Sequence, residues 1–209
     1  MINKKQILLD TYNYLFSLFP NAKCELNYSK DYELAIAVLL SAQTTDKAVN
    51  NVTKILFDKY QNINDYLNAS FSDIYQIIKP LGLSKSKANN ILSFFKILHD
   101  KYHDVLPYEM NELTTLSGIG NKSARVIRIE IFNLEDFPCD THILRILSRL
   151  KIIKEKDPDK ASQIVKNNID KKYWNKFHHL LIFFGRYKCK AINPSCEGCE
   201  LKKYCIYQK

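Results

Sequence analysis

Glycine and proline are scarce, five and six among 209 residues, and tryptophan occurs once. Chain punctuation is therefore sparse. No credible pairs of alternating strands can be found, so the sequence reads as nearly all helical. No apolar run approaches the ~20 residues that span a bilayer, which excludes a membrane protein of the helical kind. The first residues, MINKKQILLD, carry two lysines but turn amphipathic at once and contain nothing like a cleavage segment, so no signal peptide is expected. A cytoplasmic, intracellular protein follows, and its six cysteines then point to metal ligands or free thiols rather than a disulfide framework. Acidic side chains are also in deficit, 22 against 31 basic ones, giving a net charge of +9 and a pI near 9.1. A polyanionic partner is implied, with nucleic acid the first candidate. Against that, only five of the 31 basic residues are arginine and the chain is rich in Asn, Ile and Tyr, a pattern to which coding bias contributes.

What is present is globular: 46% hydrophobic and 25% charged residues, enough for one ordinary domain or two small ones sharing a cleft. Ile7, Leu8, Tyr12, Leu15 and Phe19 recur at three- and four-residue spacing ahead of Pro20. DYELAIAVLLSAQ is apolar almost all round and reads as a central helix. Thr45 caps the next helix, Ser70 and Asp73 resemble a capping box, and SKSKANNILSFFKILHDKY buries Ala88, Ile91, Leu92, Phe95 and Leu98. A short helix MNELTTL, then KSARVIRIEIF, DTHILRILSRL, the stretch Pro158 to Ile169 and KYWNKFHHLLIFFG complete the helical count. No repeat of 20–50 residues is present.

Cys189, Cys196, Cys199 and Cys205 follow the spacing C-x6-C-x2-C-x5-C. Four thiolates so close suit one tetrahedral ion or one iron–sulfur cluster. Structural zinc sites usually bring two short knuckles. Here only the central pair is one, and the longer flanking loops favour the larger iron–sulfur object, with zinc as the alternative. Cys24 and Cys139 fall outside the pattern and read as small buried hydrophobes. Arg186, Lys188, Lys190, Lys202 and Lys203 crowd the cysteine loop and could present it to phosphates.

The stretch LSGIGNKSA, 116–124, reads as a hairpin between two short helices. Gly118 and Gly120 permit a tight turn and close approach of a phosphate to free helix N–H groups, a way of holding DNA without reading its bases. Lys122 stands where a helix dipole disfavours a cation. Two readings are open. It pairs with a phosphate, or partial burial and the helix terminus disfavour its charged form and leave a nucleophilic amine. Asp140, 18 positions on, begins a helix and is either a plain N-cap or a carboxylate able to stabilise a cationic sugar or accept a proton.

LLSAQTTD, LGLSKSKANNI, LSGIGNKSA, CDTHILRI, HHLLIFFGRYKC and the cysteine tail occur in this order and at separations that resemble the endonuclease III family, helix–hairpin–helix DNA glycosylases with abasic-site lyase activity. The resemblance covers essentially the whole chain. It implies an all-α, bilobed fold with a cleft between the lobes. One lobe is a six-helix barrel over 22–133, containing the helix–hairpin–helix at about 109–132. The other is a discontinuous iron–sulfur domain of 1–21 and 134–209, with its cluster loop at 189–205. It further implies a [4Fe–4S] cluster on Cys189, Cys196, Cys199 and Cys205, and Lys122 as the residue attacking the sugar with Asp140 assisting across the cleft. DNA contacts would come from Gln43, Leu83, Gly118, Gly120, Asn121 and His142. Gln43 would fill the space of an extruded base and Leu83 would wedge the opposite strand. The implied substrate is double-stranded DNA bearing oxidised pyrimidines or abasic sites, bound by a monomer associated with the nucleoid when acting.

The chain departs from the family's usual hairpin in carrying Ser117 for proline, Asn121 for arginine and Ser123 for threonine. Cys139 stands for the valine before the aspartate, and Ile129 and Ile131 are bulkier than usual. Rival readings are an adenine- or thymine-mismatch glycosylase, which lacks the lysine, and a non-catalytic, cluster-bearing DNA-binding module.

Overall fold

A computed structural model describes residues 3–154 and 156–207. Among them all regular structure is helical. The order is α1 (Lys4–Leu18), α2 (Asp31–Leu40), α3 (Asp46–Lys59), α4 (Ile63–Leu67), α5 (Phe71–Ile78) and α6 (Ser84–Tyr102). Then come α7 (Met110–Leu113), α8 (Asn121–Ile131), α9 (Thr141–Arg149), α10 (Pro158–Lys166) and α11 (Trp174–Tyr187), with 3-10 turns at Lys171–Tyr173 and Glu200–Lys203. No strand occurs among the described residues. The chain divides into two compact units, Glu25–Asn133 and a discontinuous one of Met1–Cys24 with Leu134–Lys209.

In the Glu25–Asn133 unit α2 is the centre, as its apolar sequence requires: every residue from Glu33 to Leu40 is buried, and α3, α6 and α8 pack on it. The buried Glu33 carboxylate is satisfied locally, its Oε2 accepting from the backbone N–H groups of Ser29 (2.7 Å) and Lys30 (3.2 Å) ahead of the helix. Thr45 caps α3 by accepting from Ala48 N (3.3 Å), as its position predicts. Only half of the Ser70–Asp73 box forms. Ser70 Oγ accepts from Asp73 N (3.1 Å), but the short Asp73 carboxylate takes the Ser70 hydroxyl (2.9 Å) instead of its backbone N–H. Helix α4 has no counterpart in the sequence reading. It is one turn long, closed by reciprocal bonds between Asn62 and Asp65 (3.1 Å each way), and exists to bury Tyr66, whose ring stacks on Phe95 at 3.9 Å.

The turn between α7 and α8 is closed by Ile119 N donating to Leu116 O at 3.1 Å, and Gly118 lies at its third position with φ +80°. A β-carbon there would come within 2.7 Å of Leu39 Cδ1 on α2. Ser117 fills the position where proline is favoured, and its hydroxyl donates to Asn90 Oδ1 on α6 (3.1 Å), tying the turn down by a hydrogen bond in place of a ring. Gly120, by contrast, has extended backbone (φ −93°, ψ 178°), and a β-carbon on it would meet nothing within 4 Å.

In the discontinuous unit one apolar cluster joins Leu8 and Leu15 of α1, Phe137, Ile143 and Leu147 around α9, and Phe177 and Leu181 of α11. Cys139 belongs to it, as a small hydrophobe should, whereas Phe183 is only partly buried against it. The loop that leads into α9 is held from within. The buried Asp136 carboxylate accepts from Lys166 Nζ (2.5 Å) and from Phe137 N (2.7 Å), and a ring nitrogen of buried His178 meets Pro138 O at 2.8 Å.

The two hairpin glycines should therefore separate in a thermal melt. Gly118→Ala, strained and crowded, should lose roughly 1–3 kcal/mol. Gly120→Ser, which adds a capping hydroxyl in open space, should hold or raise the midpoint.

Candidate active site

Helix α8 begins at Gly120, which offers no side-chain cap, and its first turn carries no acidic residue. The N–H groups of its first turn are left to an external acceptor, in a hairpin that positions them rigidly. Asn121 and Lys122 on that turn are both exposed. Of the two readings of Lys122, the one that calls for partial burial finds none in the free protein.

Gln43 and Leu83 share a backbone feature with five other non-glycine residues, among them His103 and Lys151. Both are exposed and both hold left-handed backbone, φ 55° and 59°. Gln43 is the third residue of a turn closed by Thr44 N to Ser41 O (3.1 Å), between α2 and α3. Leu83 is the N-cap of α6, with 58% of its surface open to solvent. Left-handed φ is costly for side chains of this kind, by roughly 1–3 kcal/mol, and such strain gathers at functional sites.

Asp140 is the N-cap of α9: Oδ1 accepts from Ile143 N at 2.9 Å, while among the described residues the second oxygen makes no hydrogen bond. The carboxylate is half-buried. Capping and an available oxygen thus coexist. His142 and Arg145 follow on the same helix. Arg145 Nη2 donates to Gly185 O (2.8 Å) and meets His142 Nδ1 (3.1 Å), while its Nε donates to Cys189 O (3.1 Å). A guanidinium only donates, so Nδ1 of His142 must accept, which leaves the ring proton on Nε2. Gly185 of α11 makes room for this: a β-carbon there would lie 2.8 Å from His142 Cβ. Burial pulls the Arg145 pKa down, opposed by Cys189 and Asp140, but a guanidinium so placed stays charged.

One turn further along α9 is Arg149, buried, with Nη1 donating to Cys189 Sγ (3.0 Å) and Lys190 O (2.9 Å) and Nη2 to Ala191 O (3.2 Å). Burial pushes the Cys189 thiol up, with Arg149 pulling it down. Cys189, Cys196, Cys199 and Cys205 line a single recess together with Ile146, Phe184 and Leu201. Among the described residues no three His, Cys, Asp or Glu side chains converge closely enough to hold one metal ion as they stand. The donor set is nonetheless uniform: four thiols around one apolar recess, one already receiving a cationic donor, fit a thiolate-ligated group. Of the basic residues expected to crowd this loop, Lys203 is exposed and donates to Asp10 Oδ2 on α1 at 3.2 Å. Arg145 and Arg149 escaped the sequence reading, because arginines in an amphipathic nine-residue helix look like its solvated face. Their only signal was the phase that puts them, at i and i+4, on one side.

Residues 36–171 match the family of HhH-GPD superfamily base excision DNA repair proteins. Endonuclease III of Bacillus subtilis is 41% identical over 208 residues, covering 98% of this chain and 94% of its own length. A solved non-covalent endonuclease III–DNA complex superposes with a TM-score of 0.94 at 38% identity, over 99% of this chain and 96% of that one. A trapped endonuclease III–DNA covalent intermediate, an estranged-adenine complex, matches with the same score and identity over 99% and 97%. On the full-length match in sequence and in helical architecture, the chain belongs to the endonuclease III family of HhH-GPD base excision DNA repair proteins.

Proposed function

We propose that this protein removes oxidised pyrimidines from duplex DNA and nicks the strand at the abasic site it creates, with Lys122 as nucleophile and Asp140 as the carboxylate that assists it. The observation that carries the assignment is the uncapped N-terminus of α8, with Lys122 exposed on its first turn and Gly120 leaving open space beside it. Phosphates can approach those N–H groups without touching a side chain, which holds the DNA backbone where an amine can reach a sugar. The damaged nucleotide must leave the stack for this, as for glycosylases in general. Gln43 occupies the space it vacates, Leu83 enters between bases of the opposite strand, and Asn121 and the Nε2–H of His142 reach phosphates. Chromosomal DNA being the substrate, the protein works within the nucleoid.

The chemistry uses one amine twice. Lys122 Nζ, deprotonated, bonds to C1′ as the C1′–N bond breaks, and the base leaves with the electron pair and takes up a proton. Nζ sheds its remaining excess proton, the C1′–O4′ bond opens with protonation of O4′, and a Schiff base results. Loss of a C2′ proton then drives out the 3′ phosphate by breaking C3′–O3′, and hydrolysis returns the lysine. An exposed lysine is charged in water. The amine attacks only in its neutral form, and the free Asp140 oxygen accepts a proton or balances the cationic sugar. The four cysteines would hold a [4Fe–4S] cluster, which supplies a rigid centre for the loop 189–205, and Arg149 orients Cys189 toward it. The two units would then be a helix–hairpin–helix barrel domain and an iron–sulfur domain.

On a thymine-glycol duplex, Lys122→Ala should abolish both base release and nicking. Asp140→Asn should lower single-turnover base release by about a hundredfold or more while binding an abasic-analogue duplex nearly as tightly. Equal loss of binding and turnover would reduce Asp140 to a helix cap. Gly120→Ser should weaken duplex binding despite its unimpaired stability, since the added side chain obstructs only what comes from outside. Protein purified without oxygen should show iron and a broad visible absorbance, both lost in Cys199→Ser. Zinc without colour would instead indicate a single-ion site.

A further inference from the structure

Lys87 is the one lysine among the described residues that is fully buried, with 3% of its surface open. It lies on α6, one turn after Leu83, and its backbone N–H donates to Leu83 O at 3.0 Å. Among the described residues no carboxylate pairs with it. Its Nζ donates instead to Ala42 O and to Thr44 Oγ1, both at 2.8 Å. These two acceptors belong to the residues immediately before and after Gln43. Thr44 Oγ1 also donates to Ala42 O at 3.2 Å, so the ammonium, the hydroxyl and the carbonyl close a triangle behind the Gln43 turn. Burying an ammonium against neutral acceptors is expensive, and burial does pull this group's pKa down. A solvated lysine would avoid that cost, and an apolar residue would fill the space without it.

The same helix reaches the hairpin one turn further along. Asn90 Oδ1 accepts the Ser117 hydroxyl at 3.1 Å, three residues after Lys87 and so on the same side of α6. The first two turns of α6 therefore fix Leu83, the Gln43 turn and the glycine hairpin in one frame.

We infer that Lys87 is a positioning residue for base extrusion: it locks the strained turn that projects Gln43 and sets it against Leu83 at the start of its own helix. The inference rests on the duplex roles proposed above for Gln43 and Leu83. Lys87 touches no phosphate itself, because its amine faces inward. Its removal should therefore leave non-specific duplex affinity and the salt slope of binding unchanged, unlike removal of a phosphate-contacting lysine, which flattens that slope by about one. What it should impair is holding a flipped nucleotide, a state that costs a few kcal/mol of lost pairing and stacking.

The test compares single-turnover rates on two duplexes, one with thymine glycol paired to adenine and one with a preformed abasic site, for wild type, Lys87→Met, Gln43→Ala and the double variant. Lys87→Met should slow base release from the paired lesion by about tenfold or more and abasic-site cleavage several-fold less, with an unchanged salt slope. The double variant should be little slower than Gln43→Ala alone, because Lys87 acts through that side chain. Thr44→Val, which removes one acceptor and leaves the lysine in place, should show the same selective loss to a smaller degree, and it decides the matter alone if Lys87→Met does not fold. Equal slowing on both duplexes, additive losses in the double variant, or an altered salt slope would each overturn the inference. An inactive wild type would instead overturn the functional reading on which it rests.

Discussion

The space under the hairpin admits no side chain. Gly118 sits at φ +80° with Leu39 of the central helix where its β-carbon would be, so glycine closes the turn against α2 with the least strain. That single contact fixes where α8 starts. Because Gly120 then begins the helix without a cap, the first-turn N–H groups and Lys122 share one exposed edge whose geometry is inherited from the core. A lysine at a helix N-terminus is electrostatically misplaced in the free protein. It becomes sensible when the partner is a polyanion that also brings an electrophilic carbon.

In the discontinuous unit a comparable economy is found on α9. A nine-residue helix carries Asp140 at its cap, His142 and Arg145 on the next turn, and Arg149 at its end against a cysteine sulfur. Arg145 links His142 to the backbone of Cys189, and Arg149 reaches the Cys189 thiol, so the loop of four cysteines and the aspartate are held by the same short rod. Gly185 on α11 lets that rod approach closely. A cofactor that orders the loop would thereby also set the orientation of residues at the far end of the helix.

Much of this was legible in the sequence. Long amphipathic periods gave away α1, α3, α6 and α11, the all-apolar run gave the buried α2, and Thr45 and Asp140 sit at the caps their residue types announce. Cysteine spacing and the G-x-G-x-K pattern pointed to the residues on which the proposed chemistry rests. What escaped has physical reasons. A single-turn helix such as α4 is too short to show a period, and it is defined by a capping pair and one buried tyrosine. Left-handed backbone at Gln43 and Leu83 is imposed by tertiary structure on residues that disfavour it. Lys87 is invisible because a lysine beside an apolar stripe normally lies in water, and only the fold reveals two acceptors beneath it. Conversely, one of the two readings of Lys122 called for partial burial, and the residue is exposed.

A covalent bond between one amine and a deoxyribose carbon carries the proposed chemistry. Reducing a reaction with thymine-glycol duplex by borohydride, digesting the adduct and locating the added sugar mass along the peptide map reads that bond directly. The mass should fall on Lys122. An adduct carried by any other amine, or turnover that leaves nothing to trap, would contradict it.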